Sequence, residues 1–293
     1  MRPTTGEQII ALGAVGISVA VSQTILAPIE RIKILLQAQD AHPAITKSTR
    51  YRGIINCFAR VTTEQGVLSL WRGNIVSLVT IFPSQALNFA FKYKFGKLFV
   101  AGIDKKTEFR RFFLANVLSG GVAGATTLCV IYPLAFARTR LATDIGRVRS
   151  EREFRGSIDC FRKIFSSDGF RGLYRGFSVS ILGIIVYRSA YFGLFDTAKS
   201  FVPAEHQRNL AVSFAIAQFV TLCSGLIAYP FDTVRCRMMM QSGREKVIYR
   251  NTIDCWKKIY INEGGKGYYK GALTSILRGV GGALMLVVYD LVK

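Results

Sequence analysis

FRGSIDCFRKIFSSDG, residues 154–169, has two relatives in the same chain: YRGIINCFARVTTEQG at 51–66 and YRNTIDCWKKIYINEG at 249–264. The three align without gaps. Tyr51, Phe154 and Tyr249 lie 103 and 95 residues apart, and Cys57, Cys160 and Cys255 repeat those offsets. So do Gly66, Gly169 and Gly264, and the triplets WRG (71–73), YRG (174–176) and YKG (269–271) follow them. Several landmarks on one pair of offsets identify an internal repeat, which governs every later inference about the fold. Repeat units are expected over residues 1–100, 107–200 and 207–293. Within each copy the apolar residues recur three and four apart, the pattern of an amphipathic helix lying in a membrane interface.

Working outward, each copy is flanked by apolar runs. Ile9–Ile29, Gly73–Phe91, Phe112–Ala137 and Asn209–Phe231 carry no charge over 21, 19, 26 and 23 residues. Gly176–Phe195 is interrupted only by Arg188, and Gly271–Tyr289 only by Arg278. About 20 apolar residues cross a bilayer as a helix. The expected fold class is therefore an all-α membrane protein with six transmembrane helices and three short amphipathic helices. An even number of spans puts both termini on one side. The composition agrees: the chain is half hydrophobic, with mean hydropathy +0.29 and net charge +21. Residues 30–72, 138–175 and 235–270 hold 7, 10 and 9 Lys/Arg, so the charge is concentrated at one membrane face. A soluble nucleic-acid binder would explain the charge but not the apolar runs, so no nucleic acid is expected as partner. The N-terminus has no basic segment before its apolar run and reads as neither a signal nor a transit peptide.

The odd-numbered runs end on PIERIK (28–33), PLAFAR (133–138) and PFDTVR (230–235). Pro28, Pro133 and Pro230 do not end the helical pattern, so they are expected to kink three helices toward each other. The acid and base after each Pro stand three apart on one helix face. A ring of such charges would close a cavity on the basic side and serve as a gate. The second copy has Ala135 where the others have Glu30 and Asp232. Simple snorkelling of interfacial charges is the plain alternative, and three copies weigh against it.

These features resemble the mitochondrial carrier family, whose repeats bear P-x-[DE]-x-x-[KR]. Within it the chain is most similar to the ADP/ATP carriers, through FPSQALNFAFK (82–92), GIIVYR (183–188), YFGLFDTAK (191–199), SGLIAYPFDTVR (224–235) and ILRGVGGAL (276–284). The stretch RCRMMM, Arg235, Cys236, Arg237, Met238, Met239 and Met240, is similar to those carriers' RRRMMM signature. The resemblance implies three pseudo-threefold repeats around a central cavity. It implies exchange of ADP and ATP across the mitochondrial inner membrane by alternating access, with the basic loops in the matrix and both termini in the intermembrane space. A single chain would act as a monomer, with cardiolipin as a further partner and no cofactor.

A nucleotide needs cations for its phosphates and an apolar slot for its base. Arg188 and Arg278 interrupt spans and Lys92 ends one; such residues usually face a cavity, and Arg matches phosphate bidentately. Gly183, Ile184 and Tyr187 are candidates for the base slot. The resemblance assigns substrate roles to Lys92, Gly183, Ile184, Tyr187, Arg235 and Arg278. It also implies Lys at Gln23 and Arg-Tyr at Thr80 and Ile81, so two expected phosphate cations are absent. Each charge-assisted hydrogen bond lost costs about 1.5–3 kcal/mol, and exchange is expected to be altered.

For the matrix gate the resemblance implies that Arg138 meets Asp232 and Arg235 meets Glu30, while Lys33 faces Ala135 without a partner. For the opposite gate it implies Asp196 with Lys293, leaving Lys199 and Asp290 unpaired. Tyr93 and Gly96 stand where an acid and a base are expected, with Lys97 as a stand-in. Helix starts at Gly73, Gly176 and Gly271, beside Arg72, Arg175 and Lys270, are candidate cardiolipin sites, because helix N-termini and basic pockets bind such anions.

Two alternatives remain at this point: a carrier of another anion or a proton or fatty-acid leak path, and a non-transporting membrane protein bound to cardiolipin. An enzyme is not expected. His42 and His206 are the two histidines, and no nucleophile motif, metal cluster or phosphate loop is present in the sequence. The six cysteines read as packing positions rather than disulfide or metal ligands.

Overall fold

The computed structural model describes residues 5–103, 108–148, 150–200, 210–244 and 247–279. Among them there is no strand. The order is α1 (Thr5–Ala38), α2 (Ile54–Gln65), α3 (Asn74–Val100), α4 (Phe109–Thr143), α5 (Ser157–Leu173), α6 (Phe177–Ser200), α7 (Leu210–Met240), α8 (Thr252–Glu263) and α9 over 272–279. Among the described residues four stretches are long and apolar enough to cross a membrane: Val67–Val100, Arg110–Thr143, Phe177–Phe195 and Val212–Met240. The first expected span lies within α1, a continuous helix of 34 residues. The sixth begins as α9, and its remainder lies outside the described residues.

The prolines sit inside their helices, as the unbroken pattern predicts. Pro28, Pro133 and Pro230 are passed by ten, ten and ten further residues of α1, α4 and α7, which end at Ala38, Thr143 and Met240. A proline cannot donate to the carbonyl four residues earlier. In two repeats an aromatic side chain supplies the missing donor. Trp71 Nε1 donates to the Thr24 carbonyl at 2.8 Å, and the Tyr174 hydroxyl donates to that of Cys129 at 2.7 Å. In the first and second repeats the first residue of the aromatic-base-Gly triplet thus satisfies the backbone of its own repeat's proline helix.

The amphipathic helices behave as their period predicts. Cys57, Cys160 and Cys255 are fully buried and centre three small cores, one per repeat. Burial pushes each of these thiols up to about 12, so they remain neutral packing groups. Ile55, Ile158 and Ile253, two residues before each cysteine, are exposed on the opposite side. That outward row suits the acyl boundary of a bilayer. α5 breaks at Gly169 (φ 63°), matching the ends of α2 and α8 at Gly66 and Gly264.

The repeats close into a ring. Gly73, Gly176 and Gly271 adopt φ of 83°, 84° and 81°, a region that favours glycine. A Cβ there would stand 2.9 Å from the Arg138 carbonyl oxygen, 3.1 Å from that of Arg235 and 3.3 Å from that of Lys33. Each repeat's glycine therefore presses on the next repeat's motif base, and the third returns to the first. This cyclic identity is the pseudo-threefold arrangement. The cores gather at the basic end, while the spans leave apolar side chains such as Ile75, Phe82 and Leu114 exposed.

Candidate functional site

Just beyond the prolines the ring of charges is formed, with the opposite sense to that implied by the resemblance. Lys33 Nζ lies 2.5 Å from Asp232 Oδ2 and 5.1 Å from the Tyr229 ring centre. Arg138 pairs with Glu30, and so does Arg278. Lys33 and Arg138 thus each meet the acid of the preceding repeat, counted cyclically. The expected Arg138–Asp232 and Arg235–Glu30 pairs are corrected accordingly. The physical reason is handedness: equal sequence offsets fix a cycle of neighbours but not its direction. Ala135 therefore leaves Arg235, not Lys33, without an inter-repeat acid. Arg235 NH1 stands 3.8 Å from Asp232 of its own helix, and its guanidinium carbon lies 5.8 Å from the Tyr132 ring centre.

Above this ring lies a cavity of about 390 Å³ bounded by α6, α7, α9 and Lys33. Gly183, Ile184, Tyr187, Arg235 and Arg278 all line it. Four of them share a surface because Gly183, Ile184 and Tyr187 recur at helical spacing on α6 and Arg235 ends the facing part of α7. Lys92, Arg188, Gln23, Thr80 and Ile81 lie outside its lining. Arg188 is exposed; one residue beyond Tyr187, it is turned about 100° from that face. Lys92 is exposed and borders a shallow depression with Tyr93 and Gly96, about 18 Å along α3 from Thr80. Thr80 donates its hydroxyl to the Val76 carbonyl at 2.5 Å, within its own helix.

Gly183 does more for packing than for a ligand. A Cβ there would stand 3.1 Å from Phe231 Cβ, so the glycine lets α6 approach α7. The signature 235–240 also divides. Arg235 faces the cavity, whereas Cys236, Met238, Met239 and Met240 are buried in the cores. Arg237 is fully buried; it pairs with Glu263 and lies 3.2 Å from Asp40. Burial would raise the Glu263 carboxyl, but its bonds to Arg237 and Lys270 outweigh that and hold it well below the usual carboxylate range.

At the far end, Lys97 Nζ lies 4.5 Å over the Tyr93 ring, a cation–π contact within α3 where the first repeat has neither expected charge. Asp196 and Lys199 lie on the helical backbone of α6, and their side chains are outside the described residues. So are Asp290 and Lys293 altogether.

The expected lipid cations are engaged by the protein itself. Arg72 donates to the Gly146 and Asp144 carbonyls at 2.5 and 3.0 Å. Arg175 lies 3.0 Å from Asp168, and Lys270 lies 2.7 Å from Glu263 and 2.5 Å from Asp40. Their charge is largely met internally, which the triplets alone did not reveal. Sequence reasoning also missed Tyr132 and Tyr229, the residues before two of the prolines. Their hydroxyls donate to the Arg175 and Lys270 carbonyls at 2.9 Å. Their identical place relative to proline was the available signal. Among the described residues no group of three His, Cys, Asp or Glu side chains could hold a metal ion.

Comparison with known proteins places this geometry. A family model described as mitochondrial carrier protein matches residues 7–102, 109–206 and 206–293. ADP/ATP translocase 3 of Bos taurus and that of Homo sapiens are each 56% identical over 280 residues, spanning 95% of this chain and 94% of the relative. ADP/ATP translocase 4 of Macaca fascicularis is 55% identical over 278 residues, 95% of this chain and 88% of the relative.

Proposed function

The chain belongs to the mitochondrial carrier family, and from that premise we propose that it exchanges ADP for ATP by alternating access. It is a multi-pass protein of the mitochondrial inner membrane. The observation that carries the reading is the convergence of Gly183, Ile184, Tyr187, Arg235 and Arg278 on one cavity directly above the charge ring. The relatives' shared name favours nucleotide exchange over the other two readings.

Arg278 links binding to opening. It lines the cavity and also holds Glu30, the acid that Arg138 needs for closure. A polyphosphate arriving in the cavity competes with Glu30 for Arg278. Taking Arg278 leaves Glu30 with one partner and removes part of what holds the ring shut. Lys33–Asp232 and Arg138–Glu30 then separate and the cavity opens to the matrix. Such part-exposed pairs are each worth about 0–1 kcal/mol, so one nucleotide can supply the difference. Tyr187 supplies a ring face for the base. At the other mouth Asp196, Lys199, Asp290 and Lys293 form the opposing gate, with both termini in the intermembrane space. The chain works as a monomer. Cardiolipin headgroups bind at the free N–H groups that follow Gly73, Gly176 and Gly271, with Arg72, Arg175 and Lys270 contributing less than their charge suggests.

Thermal unfolding of the purified protein in detergent tests this reading. ADP and ATP should raise the Tm in a saturable way, and AMP should do so less because it presents fewer phosphate charges to Arg278 and Arg235. A rise with an unrelated anion and none with either nucleotide would refute it.

A further inference from the structure

The ring has two closed sides and one open one. Lys33 holds Asp232 at 2.5 Å, and Arg138 holds Glu30. On the third side Arg235 and Ala135 line the same pocket, and Ala135 has no group to offer. A pocket of about 210 Å³ lies there, bordered by Ala135, Arg138, Thr139, Arg235 and Met239. That is several times the ~30 Å³ a liquid water occupies. Four cations line the pocket, Lys33, Arg138, Arg235 and Arg278, against two acids, Glu30 and Asp232. Arg235 Nε is buried and has no hydrogen-bond partner. Asp232 gives Oδ2 to Lys33 and leaves Oδ1 3.8 Å from Arg235 NH1, an ion-pair distance beyond hydrogen-bond reach. Glu30 already pairs with Arg138 and Arg278. A guanidinium does not lose its proton at any physiological pH, so the surplus charge persists.

We infer that a small oxyanion binds beside Ala135 against Arg235, where a third carboxylate would stand, and closes the ring. A carboxylate or a phosphate offers two coplanar oxygens to the guanidinium fork. A neutral water would satisfy Nε but leave the charge unmet. Closure of the matrix mouth in this protein thereby depends on an anion from solution, and withdrawal of that anion favours opening. The pocket shares Lys33, Asp232, Arg235 and Arg278 with the nucleotide cavity but adds Ala135, Thr139 and Met239, so Ala135→Asp is the variant that alters this site and leaves the cavity lining unchanged. Its occupancy is read without transport, so its failure and failure of nucleotide exchange are distinguishable.

The test is Tm in detergent at constant ionic strength, with chloride replaced stepwise by formate or by inorganic phosphate. The protein should gain several degrees along a saturable curve with at least one of the two. The stronger response identifies the site as carboxylate- or phosphate-selective. Ala135→Asp supplies the carboxylate in place; it should melt higher in chloride and show no response to either ion. Arg235→Gln removes the cation and should also show none. A flat response in the parent protein overturns the inference. So does an equal response in all three proteins, which would mark a general salt effect.

Discussion

His42 is buried in the turn that follows α1, and its Nδ1 accepts the Ala44 N–H at 3.2 Å. Burial, with the charges of Arg244 and Arg140 nearby, pushes its pKa from 6.5 to about 4. Between those values the unfolded chain binds a proton that the folded chain refuses, so stability falls as pH drops through that window. The contribution is at most about 3 kcal/mol. Tm should therefore decline from pH 6.5 to 4 in the parent and decline less in His42→Gln. Equal slopes would remove His42 from the account. Single residues were the least legible part of the sequence. Arg278 and Tyr187 were identifiable because a charge or a ring inside an apolar run has few uses. Arg235 was placed in the wrong pair, since the direction of a ring is a three-dimensional property. Arg72, Arg175 and Lys270 were read as free charge because their partners, backbone carbonyls for Arg72 and carboxylates distant in sequence for the other two, carry no mark in the triplets.

At the scale of elements, each proline helix depends on something outside itself. In α4 the Cys129 carbonyl, freed by Pro133, is taken by the Tyr174 hydroxyl, and the Tyr174 ring stacks on Tyr132 with centres 5.7 Å apart. Tyr174→Phe keeps the stacking and removes the bond. It should cost about 1 kcal/mol, a Tm decrease of about 2–4 °C. An unchanged Tm would mean that the freed carbonyl needs no donor. The helices themselves were plain in the sequence: apolar runs, the three-and-four spacing around Cys57, Cys160 and Cys255, and glycines at their ends. What the runs could not show was which helix would press on which. Gly73, Gly176 and Gly271 read as helix starts; their close approach to Arg138, Arg235 and Lys33 emerges only when the repeats are set side by side.

At the scale of the molecule, one unit copied three times made the architecture readable, because equal units that each leave a face unburied must close on one another. The division of labour within that symmetry was less readable. The cavity leans toward α6, α7 and α9, so the second and third repeats line it, whereas Gln23, Thr80 and Ile81 of the first do not. The altered residues of the first repeat and the missing acid at Ala135 belong together in this picture. The first repeat contributes little to the cavity, and the basic end holds surplus charge beside Arg235. The central claim is that this cavity carries nucleotides, one in for one out, using Arg278. The most direct measurement is uptake of labelled ADP by vesicles reconstituted with the protein, with and without ADP inside. The account predicts uptake that requires internal nucleotide and falls at least tenfold in Arg278→Ala, about 1.4 kcal/mol of lost phosphate contact. Uptake into empty vesicles at the same rate, or full exchange by Arg278→Ala, would contradict it.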